Sequence, residues 1–598
     1  MGFAMVHIRH NSTLQRHTQL PLEWTIQLGL CVPHSCTDND ILALAEKYFN
    51  GDYFEEKYIY NISMQVVEVK KLIDNNLWLL ELPKTIAFSV ILATIFFLAI
   101  GGTIYDVKRY NLNKRILTGY NVACNGKSTS LTTVELVPKS SMDELPRQSS
   151  LGEILQCFSI YSNIKNLVKT KLSTDTVGCI HGLRFLSMLW VVAVHSLFYQ
   201  ADYIKNVPFV YRLSEDFMAQ ILSNSSYCVD SYLFLSGFLV AYLYFKSKNP
   251  YEQPNKPISY LVKIREYIMM WINRYCRLTP PYMMILIFTN IVYTFYRETS
   301  SLTSSERADI ACDKYWWRNL LYINNLYPRK EMCMSWSWYL SLDTQLFTVT
   351  TLLLILSTVV FKLSAAAVVS LILTTIIATA WKCYSIGYIP TMDEQLVQMD
   401  AIYDLPWNRM GPYLIGVVTA YILKVKLDNK LTLTKKMRIS LWTIFSALNI
   451  WILFTLYTRQ LSVEFSAMYM GVSRTLWGVG LAWILIACCT GNARALDKLL
   501  SFRGFIPLSR ITYCAYLLNP VMANMIYQSA ESAFEASLAE LTFTILGITL
   551  ISFYAAFLSF VMLESPFILL TKIVLRKMST RKPQPEPKPQ TDDNDKAI

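Results

Sequence analysis

Apolar stretches of about 20 residues recur along this chain, the length that crosses a bilayer as an α-helix. The first runs from Thr85 to Tyr105, a polar interval follows, and a dense series begins at Leu183. Further stretches start near Val229, Leu278, Trp338, Leu363, Met410, Ile439, Met470, Ile511 and Leu541. The pattern predicts an all-α polytopic membrane protein of about eleven transmembrane helices, one followed by a bundle of ten. Composition agrees, with 53% hydrophobic and only 16% charged residues. No internal repeat of the transporter kind is evident.

The formal charge of +12 would suit nucleic acid if it were gathered in one arm. Instead Lys and Arg collect in alternate connections, the signature of cytosolic loops. Lys108, Arg109, Lys114 and Arg115 follow the first span; Lys246, Lys248, Lys256, Lys263, Arg265, Arg274 and Arg277 follow the third; Lys424, Lys426, Lys430, Lys435, Lys436 and Arg438 follow the seventh. Nucleic acid is therefore not an expected partner, and the bilayer is. Counting spans from these loops places the N-terminal segment outside and the basic tail, with Lys572, Arg576, Lys577, Arg581 and Lys582, inside. A plasma membrane or a membrane of the secretory pathway is expected.

Cysteines and glycosylation sequons test that orientation, because disulfides and N-glycans form on the outer or lumenal face. Cys31 and Cys36 in CVPHSC, Cys312 and Cys333 around the fourth connection, and the sequons at Asn11 and Asn61 all fall on segments predicted to be outside. Bridges among these cysteines are expected, with the pairing open. Asn224 (NSS) lies too close to the third span to be an expected glycan site, and Cys488 and Cys489 read as small packing residues within a span. MGFAMVHIRHNSTLQ has no apolar core of a cleavable signal peptide, so export is expected to rely on the first span or on residues that precede this sequence.

Residues 1–84 read as a small disulfide-containing extracellular or lumenal segment with a short helix, ILALAEKYF, capped by Asp38 to Asp40. Residues 85–105 are the first transmembrane helix, and 106–177 a Ser/Thr-rich cytosolic linker in which RQSSLGEIL offers serines after Arg147. Residues 178–575 hold the ten-helix domain, and the Pro- and charge-rich residues 576–598 read as a disordered cytosolic tail.

Within GLRFLSMLWVVAVHSLF, Arg184 and His195 have ten residues between them. Eleven helical steps make about three turns plus roughly 20°, so the two share a face and stand about 16 Å apart along the axis. Ionisable groups at that depth are usually functional. A snorkelling arginine and a hydrogen-bonded structural histidine are the plainer alternatives. The other histidines lie in the outer segment except His181 at the inner edge, so no His-rich metal site is expected in the spans. Trp336 and Trp338 read as interfacial anchors, and Glu564 as a partner for a loop arginine at the inner end of the last span.

The motifs GLRFLSMLWVVAVHS, CVDSYLFLSGFLVAY, NRYCRLTPPY, CMSWSWYLSLDTQLF, RMGPYLIGVVTAYIL, SRITYCAYLLNP and LESPF occur in an order that resembles the type 3 membrane acyltransferase superfamily. CVPHSC ahead of the first span is similar to the end of the N-terminal domain of its animal "nose resistant to fluoxetine" group, in a shortened form. The resemblance implies transfer of an acyl group, commonly acetyl from acetyl-CoA, from the cytosol to an acceptor on the other face. The acceptor, whether a lipid, a carbohydrate or a small molecule, is left open.

On this reading Arg184 holds the CoA phosphates, with Arg274 and Arg277 extending the cationic mouth. His195 is the general base, and Asp230 or Asp343 orients its ring. Gln345, Arg409, Tyr413 and Arg474 line the acceptor side. Where relatives carry His before Pro in a Tyr-Leu-x-His-Pro run, this chain has Asn519 and Pro520, and Asn donates a hydrogen bond but cannot act as a base. A lipid or small-amphiphile transporter using the same bundle without acyl transfer is the other expectation.

Overall fold

The structure, a computed structural model, describes residues 2–10, 25–50, 64–73, 77–125, 149–171, 177–248, 260–390, 399–458 and 461–580. Outside the bundle lies an antiparallel sheet of β1 (Gly2–His10), β2 (Thr25–Val32) and β3 (Met64–Lys71) in the order β2-β1-β3, covered by α1 (Asp38–Asn50). The apolar face of β1, with Ala4, Val6 and Ile8, packs on Ile41, Ala45 and Phe49 of the helix. The expected helix is present, but Thr37 rather than Asp38 caps it: Thr37 Oγ1 accepts from the Asp40 amide at 3.3 Å while Asp40 Oδ2 accepts from the Thr37 amide at 2.8 Å.

The expectation of a bridge at CVPHSC is corrected. Cys31 and Cys36 are both free thiols. Strand alternation turns Cys31 to solvent beside the buried Val32, whereas Cys36 packs against the core under the sheet. Asn11 and Asn61 lie outside the described residues.

Nine helices among the described residues are long and apolar enough to cross a membrane. They include α2 (Pro83–Asn125), which runs twenty residues past the predicted end at Tyr105. Beyond it, α3 (Ser150–Cys157) and α4 (Ile160–Val168) dock on α2 through Asp106, whose carboxylate accepts from Gln156 and Ser159 at 2.7 Å each. That part of the linker is therefore folded. The serine of RQSSLGEIL that ends the turn, Ser149, is an N-cap accepting from Gly152 N, while Arg147 lies outside the described residues.

The bundle continues with α5 (Cys179–Gln200), α6 (Ser226–Ser247), α7 (Tyr260–Thr299), α8 (Ala308–Leu320), α9 (Trp338–Ser357) and α10 (Phe361–Ser385). It closes with α11 (Pro406–Tyr421), α12 (Lys435–Phe454), α13 (Val463–Cys489), α14 (Thr512–Gln528), α15 (Leu538–Ser559) and α16 (Ser565–Thr580). Two of the predicted spans, α11 and α14, are helical where expected but only 16 and 17 residues long. They are buried at the centre. An added Cβ at Gly237 of α6 would stand 2.1 Å from the Tyr413 carbonyl oxygen, and one at Gly416 of α11 would stand 2.2 Å from that of Phe234. Glycine thus lets the two helices meet backbone to backbone, the packing that works without a hydrophobic driving force. The last helix persists to Thr580, so residues 576–580 of the predicted tail are helical, with Arg576 paired to Glu153 of α3 at 3.1 Å.

The connection between α7 and α9 dips back into the bundle. The Cys312–Cys333 disulfide ties α8 to its return strand, as the cysteine placement allowed. Trp336 and Trp338 are only 3% and 5% exposed, which corrects their reading as interfacial anchors. Trp336 Nε1 instead donates to the Leu517 carbonyl of α14 at 3.2 Å.

Candidate functional site

Helices α5 and α14 lie side by side, and the Arg184–His195 face of the first meets one face of the second. Arg184 Nη2 donates to Thr512 Oγ1 at 3.3 Å. His195 has the Tyr516 ring at 6.4 Å and Asn519 beside it. Residues 512, 516 and 519 follow the helical i, i+4, i+7 spacing, so both ionisable side chains are turned into the protein. Tyr232 OH fastens the start of this face by donating to the Arg184 carbonyl oxygen.

Aromatic rings enclose His195. Tyr199 stands edge-on at 6.0 Å, and Trp336 packs against Tyr199 at 5.9 Å. Tyr516 OH donates to the Trp336 carbonyl oxygen, which clamps the re-entrant connection to α14. Ser335, next along, donates from its hydroxyl to Glu306 Oε2 at 2.6 Å. Asn519 Nδ2 donates to Ser552 Oγ at 3.2 Å. Its Oδ1 and His195 Nδ1 are buried atoms with no hydrogen-bond partner among the described residues. Tyr516 and Ser335 fall within SRITYCAYLLNP and CMSWSWYLSLDTQLF, whereas Tyr199 and Glu306 belong to no motif that the sequence offered.

At the other end of α5, Arg184, Arg277 and Glu564 lie within electrostatic reach of one another. Neither Arg184 nor Arg277 forms an ion pair within 4.0 Å among the described residues, and Arg277 is exposed. Glu564 ends a π-helical segment, Phe560–Glu564, and accepts from the Cys514 thiol at 3.2 Å. One carboxylate faces two guanidinium groups, so the mouth carries excess positive charge suited to an anion.

The carboxylates expected beside His195 are elsewhere. Asp230 Oδ1 pairs with Arg409 Nη1 at 2.9 Å, both side chains fully buried, so neither an orienting Asp230 nor an acceptor-side Arg409 is present. Asp343 pairs with Arg274 and accepts from Ser236 at 2.6 Å. Arg274 is thus neutralised inside the bundle, over the Phe347 ring at 4.5 Å, and does not extend the mouth. The re-entrant connection accounts for this, because α9 starts within the bundle and Asp343 meets Arg274 in the first half of α7.

Of the other acceptor-side residues, Gln345 exchanges amide hydrogen bonds with Asn325 at 2.8 and 3.1 Å and also donates to the Tyr322 carbonyl. Tyr413 is fully buried, and its hydroxyl has no hydrogen-bond partner among the described residues. Arg474 donates to the Ile402 and Asn408 carbonyl oxygens at 3.4 and 3.3 Å. Only Asn519 of that set lies at His195.

Fold and site define a polytopic helical membrane protein whose centre holds an enclosed imidazole and whose one end holds a cationic mouth. The acyltransferase domain family matches residues 177–563, and the chain belongs to this type 3 acyltransferase family. It is 27% identical over 539 residues to Nose resistant to fluoxetine protein 6 of Caenorhabditis elegans, covering 85% of this chain and 61% of that protein's length. It is 22% identical over 453 residues to Regulator of hypoxia-inducible factor 1 of the same organism, covering 69% of this chain and 83% of that protein. No solved structure matches the chain.

Proposed function

We propose that the protein transfers an acyl group, acetyl foremost, from cytosolic acyl-CoA to an acceptor hydroxyl presented on the outer or lumenal side. The reading is carried by one observation: Arg184 and His195 both face α14 inside the bundle, at Thr512 and at Tyr516 with Asn519. Their separation of about 16 Å along α5 is within the reach of an extended pantetheine arm, given 1.5 Å per helical residue. Arg184 and Arg277 would bind phosphate oxygens of the donor as permanently charged planar groups.

At the far end of that arm, His195 takes the proton of the acceptor hydroxyl as its oxygen attacks the thioester carbonyl. The carbon–sulfur bond breaks, and the departing sulfur collects the proton from the imidazolium to leave as the free thiol. Asn519 Oδ1, beside the ring, would accept from it once protonated. The aromatic wall of Tyr199, Tyr516 and Trp336 keeps water from competing for the acyl group.

The test is transfer of radiolabelled acetyl from acetyl-CoA to endogenous acceptors in membranes containing the parent or His195→Ala. Loss of labelling in the variant, with unchanged protein level, supports the reading. A carrier of lipids or small amphiphiles predicts substrate movement that survives His195→Ala and needs no acyl-CoA.

A further inference from the structure

At the start of α5, three turns of chemistry that the acyl-transfer reading does not use converge on one point. Cys179 Sγ, Cys488 Sγ and an Asp497 carboxylate oxygen lie within 4.8 Å of one another, and the Cys489 thiol also approaches that of Cys179. Both Cys179 and Cys488 are buried, at 1% and 5% exposure.

The local sequence explains the convergence. Helix α13 ends at Cys489, and Gly491 takes φ +75°, a left-handed conformation that ends the helix and turns the chain. Asn492 fixes the turn by donating to the Leu431 carbonyl at 2.9 Å and to Thr490 Oγ1 at 2.8 Å. The short helix Arg494–Leu500 then brings Asp497 back against the end of α13. Gly182 completes the arrangement, because a Cβ there would stand 2.3 Å from the Leu500 carbonyl oxygen. Only glycine allows the first turn of α5 to abut this helix and deliver Cys179.

We propose that Cys179, Cys488 and Asp497 bind a zinc ion that pins the start of the Arg184 helix to the end of α13. Thiolate and carboxylate donors are the set that borderline-soft Zn²⁺ selects over Mg²⁺ or Ca²⁺. Tetrahedral coordination at about 2.0–2.3 Å requires donor atoms roughly 3.3–3.8 Å apart, a small contraction from the present cluster. Ser501 Oγ donates to Asp497 Oδ1 at 3.0 Å and would hold the carboxylate in its liganding orientation. Binding releases each coordinating thiol's proton to solvent. A cytosolic position, expected from the loop charges, would keep these thiols reduced and favour a metal over a disulfide.

The experiment is metal analysis of the full chain, purified in detergent under reducing conditions without chelator. About one zinc per chain is expected for a filled structural site. Cys179→Ser, Cys488→Ser and Asp497→Asn should lose most of it, whereas Cys157→Ser and Cys383→Ser, buried thiols elsewhere, should keep it. Should the cysteine variants fail to fold, cobalt titration of the metal-stripped parent decides: thiolate-to-cobalt absorption bands support the site. Absence of metal and of those bands in the folded parent overturns the proposal, as does full zinc in Cys179→Ser or a Cys179–Cys488 disulfide found by mass spectrometry.

Discussion

Arg409 Nη1 meets Asp230 Oδ1 at 2.9 Å in the middle of the bundle, and neither side chain has any exposed surface. Arg409 is further held by the Tyr403 carbonyl at 2.7 Å and by the Tyr403 ring at 4.1 Å. This pair joins α6 to α11, the helices that glycine brings into backbone contact.

Breaking that pair from one side leaves a buried charge uncompensated. Asp230→Ala or Arg409→Ala is expected to cost about 3–5 kcal/mol, and the double change Asp230→Leu with Arg409→Met to recover much of the loss. Thermal unfolding in detergent measures it. Equal destabilisation by single and double variants would show that the charges are not coupled.

Asn519 and His195 form a second relationship with a separable readout. Asn519→Leu removes the carbonyl that faces the ring, and should lower kcat while leaving the KM for acyl-CoA near that of the parent. Asn519→His restores the residue of the family's Tyr-Leu-x-His-Pro run and should retain turnover. The comparison is steady-state kinetics at several acyl-CoA concentrations. An unchanged kcat in Asn519→Leu would remove this residue from the site.

The sheet docks on the bundle through groups that titrate. His7 Nε2 contacts Thr303 Oγ1 at 2.8 Å, and Lys70 Nζ donates to the Ser300 carbonyl at 2.6 Å. Burial pulls Lys70 down to about 8, with Arg297 and Arg307 acting in the same direction against Glu298 and Glu68. Burial also lowers His7, with Lys70 and Arg307 adding to the effect and Glu68 opposing it. A group whose pKa is lower when docked binds its proton more weakly there, so protonation favours release. Docking should therefore strengthen as pH rises through the docked pKa of His7 towards 6.5, and again from about 8 towards 10.5 for Lys70. Hydrogen exchange of residues 64–71, corrected for intrinsic rate, should show protection rising from pH 7 to 9, and Lys70→Met should flatten that rise. Protection that falls with pH would reverse the assignment.

Much of this architecture was legible as hydropathy. Spans of apolar residues and alternate basic loops mark helices because lipid leaves no other partner for backbone amides. The sheet was not legible: GFAMVHIRH buries its core face through Ala4, Val6 and Ile8 only once Ile41 and Phe49 arrive from α1. Nor was the fate of Asp230 and Asp343, because each finds an arginine on a distant helix and the re-entrant segment changes the depth at which α9 begins. The Arg184–His195 face was readable because helical periodicity is local. Its partners Tyr199 and Tyr516 needed the tertiary fold.

The Cys312–Cys333 disulfide closes the connection that carries Trp336 to Tyr199, the ring edge-on to His195. Cys312→Ser is expected to cost about 3 kcal/mol in stability, from the entropy of a loop of this size. Because Trp336 is clamped to α14 at its Nε1 and carbonyl, transfer activity should fall with the disulfide even where the bundle stays folded. Activity assayed after mild reduction, beside a monodispersity check, tests this. Full activity in the reduced, folded protein would show that the connection holds without its covalent tie.

The most direct measurement is acyl-CoA binding to the purified chain in detergent, with Arg184→Ala beside the parent. Losing a charge-assisted hydrogen bond of about 1.5–3 kcal/mol predicts affinity weaker by roughly tenfold to a hundredfold, and Arg277→Ala should weaken it as well. His195→Ala should bind like the parent yet transfer nothing. Equal binding by parent and Arg184→Ala, or no binding by either, would contradict the assignment of this mouth to the nucleotide end of the donor.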